Sequence, residues 1–166
     1  MKRLPFLPVL FIALMMSLFG CDQGPEPQKP DEQFVKLLFQ YSFRDELDTF
    51  NCTLTKDLVL DGTITVPFWL TTAEQESVLS ELKRSDFFNL PDTLQRTDII
   101  SIDPTPGSQL LRVYVNGQSK TVVWSYLIDP DLPLNQRILG LSCAIQTIIE
   151  SKPEYKRLPQ ARGGYL

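Results

Sequence analysis

The chain has 166 residues, 43% of them hydrophobic and 22% charged, with 16 Lys+Arg against 20 Asp+Glu, three cysteines and no histidine. That length and balance suit one domain with its own core and exclude a disordered chain. Without histidine, Ser-His-Asp and Cys-His catalysis, His-ligated zinc and an imidazole switch are excluded. The cysteines lack Cys-x-x-Cys spacing, which excludes zinc ribbons and thioredoxin-like redox chemistry, and a net charge of −4 argues against a nucleic-acid groove.

Lys2 and Arg3 precede an apolar run from Leu4 to Phe19 that only Pro5, Pro8 and Ser17 interrupt. The positive end stays cytoplasmic while the apolar part enters the translocon. The run falls short of the ~20 residues that a spanning helix needs. Leu18-Phe19-Gly20-Cys21 closes it and resembles the lipobox of bacterial lipoproteins, with Phe19 where the family prefers a small residue. The resemblance implies that residues 1–20 are a signal cut before Cys21, whose sulfur receives a diacylglycerol and whose new amino group is acylated. Each buried methylene adds about 0.8 kcal/mol, so several chains on one cysteine hold a protein durably where one anchors marginally. The implied partner is the lipid bilayer and the implied location is extracytoplasmic. Asp22 resembles the signal that keeps enteric lipoproteins in the inner membrane, with the outer membrane as the alternative.

Residues 21–33 read as the lipidated cysteine and a tether. Pro25, Pro27 and Pro30 forbid a helix there, and four acids against one lysine give −3. From Phe34 to Phe43, Lys36, Gln40 and Ser42 recur at even positions, as on a half-buried strand. Thr53–Leu60 and Thr63–Leu70 flank Asp61-Gly62, which predicts a hairpin with a two-residue turn. Thr71 and Thr72, with Glu74 and Gln75 three residues on, offer a capping box for a helix over about 73–86 striped by Val78, Leu79 and Leu82. A short strand is predicted over Asp98–Asp103. Gln109–Val115 and Gln118–Leu127 flank Asn116-Gly117, a second hairpin signal. A helix follows over about 134–151, with Leu134, Ile138, Leu141, Ile145, Ile148 and Ile149 on one face. The domain over 34–151 is therefore α+β and two-layered: an antiparallel sheet of five or six strands with two helices packed on one face. Residues 152–166 carry +3 and include Tyr155, Leu158, Tyr165 and Leu166. That basic tail is expected to dock on its own acidic domain, or to touch anionic lipid at about 1 kcal/mol per basic residue.

No catalytic, cofactor or metal site is assigned. Cys52 and Cys143 remain after Cys21 is lipidated. Either they form a disulfide, at up to about 4–5 kcal/mol in the chain-entropy model, or they are two free thiols. Acidic groups at Asp45-Glu46-x-Asp48, Asp57 with Asp61, and Asp129-x-Asp131 read as solvated turn acids. The last, with Asn135, has some features of a calcium loop but lacks its glycine turn and terminal Glu. Trp124 and Tyr126 alternate on one strand and are candidates for a ligand or partner surface, with strand aromatics in the core as the competing reading.

The segments Leu47-Asp-Thr-Phe50 with Thr55-Lys-Asp57, Lys120-Thr-Val-Val-Trp124, and Ile148 to Pro159 with Gly163-Gly-Tyr165 resemble a family of small bacterial lipoproteins and secreted proteins of unknown function. That resemblance brings no cofactor or catalytic residue, and Cys52 and Cys143 are not part of it. The expected function is a non-enzymatic binding or interaction module in the cell envelope, facing an unidentified envelope protein and no nucleic acid. The alternatives are a small-molecule binder and an envelope enzyme using carboxylates or a Ser/Lys pair.

Overall fold

The computed structural model describes residues 33–94 and 107–164. The segment read as a signal, Cys21, Asp22, the stretch read as a tether up to residue 32, the strand predicted over Asp98–Asp103, and Tyr165 with Leu166 lie outside those residues.

Alternation builds the first half. In β1 (Val35–Gln40), Val35, Leu37 and Phe39 are buried while Lys36, Leu38 and Gln40 are half-buried, the period-two signature of a sheet with one covered face. The strand predicted to run on to Phe43 instead ends at Gln40, and the chain turns back at Tyr41–Arg44 into β2 (Glu46–Asp48). β3 (Thr53–Asp57) and β4 (Thr63–Pro67) extend the meander. The Asp61-Gly62 hairpin exists, but its connection is five residues long, because Asp57 pairs with Thr63. Positive φ falls on Val59 (61°) and Gly62 (78°) rather than on Asp61.

Helix α1 (Thr72–Arg84) starts on Thr71, whose hydroxyl accepts from Glu74 N while Glu74 Oε2 accepts from Thr71 N. This is a complete capping box. Gln75, the other candidate partner, is fully buried instead: its carbonyl takes the N–H groups of Phe34 and Val35 and its amide donates to Leu70 O. A 3-10 turn at Phe87–Asn89 leads into the two-residue β5 (Thr93–Leu94).

β6 (Ser108–Val115) and β7 (Gln118–Ser125) form a hairpin closed by Asn116-Gly117, both at positive φ and with Val115 facing Gln118. This is the two-residue turn its sequence predicts. Helix α2 (Pro133–Ser151) opens on proline at its first position and buries Ile138, Leu141, Ile145 and Ile149. A one-turn helix α3 (Pro153–Lys156) follows.

The sheet has seven strands in the order β4-β3-β2-β1-β6-β7-β5. The α+β class holds, but the strictly antiparallel sheet of five or six strands does not: β5 pairs with β7 in parallel. β2 and β5 supply the difference, and segments of two or three residues are too short to leave an alternation pattern. The core lies between the sheet's inner face and the helices, centred on Phe39, Leu111, Trp124, Val78 and Ile145.

Candidate functional site

Two regions of the described fold carry chemistry beyond packing: a buried polar cluster where β1, β3 and α3 meet, and the sheet face opposite the helices.

The cluster arises from a break in alternation. Lys56 follows Leu54 on the inner face of β3, where a lysine is out of place, and it is 7% exposed. Its ammonium sits 4.7 Å from the centroid of the Tyr155 ring on α3, a cation–π contact with the side chain shielded from water. Asp57, also 7% exposed, accepts from Val59 N at 2.9 Å. Asp45 Oδ1 accepts from Asp57 N at 2.7 Å. Burial pushes the Asp45 carboxyl above the ordinary aspartate range, and the nearby Asp57 charge adds to this. Hydrogen bonds from Asp57 and Ser42 and the charge of Lys56 act the other way. Tyr41 lies beside it, 8% exposed, its hydroxyl without a hydrogen-bond partner among the described residues. Burial, then the charge of Asp45, drives the Tyr41 phenol far above its usual range. Burial raises Tyr155 as well. This arrangement makes Asp45 and both phenols hold their protons more tightly than they would in water.

The outer face of the sheet carries Lys36, Leu38, Arg112, Tyr114, Thr121 and Val123. A shallow hollow of about 270 Å³ there is lined by Leu38, Asp48, Phe50, Asn51, Arg112 and Tyr114. Phe43, Phe50 and Tyr114 are exposed, so aromatic surface is available to a partner.

The sequence-derived candidates separate. Trp124 is 1% exposed and stacks on Phe39 at 6.4 Å between ring centroids; it is a core residue rather than part of a binding surface. Tyr126 falls beyond the end of β7 and is 51% exposed. Alternation fails between the two because the strand stops at Ser125. Cys52, at positive φ, and the exposed Cys143 are both free thiols. Cys52 sits in the β2–β3 turn, while Cys143 is exposed and is not among the buried residues of α2. Asp129 accepts from Asp131 N at 2.9 Å and its own carbonyl accepts from Asn135 Nδ2. The loop with calcium-like features is thus an Asx turn that leads into α2, and among the described residues no cluster of three metal-binding side chains occurs. Asp45 and Asp57, flagged in separate acidic groups, are brought into one site. Tyr41, Lys56 and Tyr155 were not anticipated there; the phase of Lys56 on β3 was the available signal.

Comparison with known proteins finds no matching family model and no similar curated protein.

Proposed function

We propose that the chain is a lipid-anchored protein of the bacterial cell envelope whose folded body serves as a non-enzymatic interaction module. The observation that carries the reading is Gly20-Cys21 placed directly after a positively headed apolar run. Acyl chains on Cys21 would insert into the bilayer and hold the body outside the cytosol. Asp22 favours the inner membrane. The outer sheet face supports the module reading: its aromatic and aliphatic side chains lie among threonines and serines, a mixture suited to contacting a protein surface.

Cys21→Ser is the test. Metabolic labelling with a palmitate analogue should mark the parent chain and leave the variant unmarked. The variant should also accumulate as a longer, unprocessed precursor. Equal labelling and processing of the two chains would remove the anchor from the account.

A further inference from the structure

Among the described residues, one edge of the sheet is only partly covered. β5 offers two residues to the eight of β7, at Thr93 opposite Val123 and Leu94 opposite Trp124. Among the described residues, the stretch from Gln118 to Val122 is therefore paired on one side only, with β6. Its phase can be read: Val123 N donates outward to Asp92 O at 2.9 Å, so alternation turns the N–H and C=O groups of Thr121 and Ser119 to the same open side. Leu94 and the residue that starts β6, Ser108, both stand at the Ser125 end of β7, away from the open stretch.

Beside these groups lies a concavity of about 830 Å³, with Asn89, Asp92 and Thr93 on its far wall. Lysines commonly guard bare edges. Here Lys120 is drawn onto Asp92, Nζ to Oδ1 at 2.7 Å. At the Gln118 end a second hollow of about 340 Å³ opens on the helix side, lined by Leu79, Leu82, Phe87 and Val115 together with Lys83 and Asp86. Phe88 and Gln118 line both hollows, which makes them neighbours. The charges along this path are uneven. Asp92 is matched by Lys120 and Asp86 by Arg137, whereas Lys83 is exposed and has no ion-pair partner among the described residues.

We propose that this edge is a peptide-recognition site: an extended acidic segment of a partner protein adds as a strand beside β7, hydrogen-bonds to Ser119 and Thr121, seats an apolar side chain between α1 and the hairpin, and sets a carboxylate beside Lys83. Main-chain pairing supplies the affinity, and the apolar hollow with its lysine supplies the selection. The proposal deepens the interaction-module reading of the folded body and is independent of acylation at Cys21.

The probe is a capped octapeptide of alternating leucine and threonine with one central aspartate, alongside a twin carrying lysine at that place. Amide hydrogen exchange of the full chain in detergent, with and without probe, is the readout. The aspartate probe should slow exchange at Ser119 and Thr121 by about tenfold or more. Lys83→Glu, a change at an exposed position, should weaken the aspartate probe by about tenfold and favour the lysine twin. Four outcomes would overturn the proposal: no protection at β7 with millimolar probe, protection confined to β4, edge amides already protected in the free chain by its own segment or a second copy, or indifference to Lys83→Glu. The fate of the anchor is read separately. A chain with unmodified Cys21 that binds the probe loses the anchor and keeps the edge site; an acylated chain that ignores the probe does the reverse.

Discussion

At Asp45, two opposing demands meet on one carboxylate. It must accept the Asp57 N–H, and it must do so half-buried between Tyr41 and β3. Its folded pKa is raised, so the folded chain holds this proton more tightly than the unfolded chain. The associated stability is full below the ordinary aspartate pKa of about 3.9 and is lost as pH rises through the folded value. Asp45→Asn keeps the acceptor oxygen and removes the titration. Urea titrations should therefore find the variant increasingly stable relative to the parent as pH rises from about 4 through the raised value, and a difference independent of pH would contradict this. Tyr41 presents the complementary case, a buried hydroxyl without a partner. Tyr41→Phe should leave stability unchanged or raise it by up to about 1 kcal/mol in the same assay. A loss of more than about 1 kcal/mol would mean that the hydroxyl is hydrogen-bonded. Neither residue announced itself in the sequence. Asp45 reads as a turn acid, and Tyr41 as one more aromatic in an apolar run; only the turn at 41–44 folds them onto β3.

Elements were legible where a local rule stood alone. Asn116-Gly117 demands positive φ at two successive residues and obtains it. The Thr71–Glu74 capping box sits where its spacing places it. Thr71→Ala should cost about 1 kcal/mol in a thermal or urea melt. No measurable loss would mean that the tie from Lys152 Nζ to Glu74 Oε2 (2.8 Å) and Trp69 O (2.7 Å) fixes the helix start by itself. Asp61-Gly62 obeys the same local rule on paper, yet tertiary contacts override it. Arg162 N donates to Leu58 O, Leu60 N donates to Arg162 O, and the Arg162 guanidinium clasps Asp61 at 2.6 and 2.8 Å. The loop is shaped to receive Arg162, 101 residues beyond Asp61. Val59, β-branched and at φ 61°, is held in that unfavourable region by Asp57 Oδ1 and by its bridge to Arg162. β2 and β5 escaped the reading for a different reason: strands this short are created by their neighbours.

At the scale of the whole fold, among the described residues, the helices pack on one face of the sheet, and β5 pairs with only two residues of β7. Gly163 marks how closely the C-terminal segment is fitted. At φ 86° it lies against Leu60, where a Cβ would come within 2.9 Å of a side-chain carbon. The body was broadly legible as α+β, while its polar cluster and the partial pairing of β7 by β5 depend on contacts between distant segments. The proposed anchor rests on residue order alone: charge, apolar run, Gly20, Cys21. Its most direct test is mass spectrometry of the N-terminal peptide of the protein extracted from membranes. The account predicts a peptide that begins at Cys21 and carries a thioether-linked diacylglycerol. A peptide that begins at Met1, or one with an unmodified Cys21 sulfur, would contradict it.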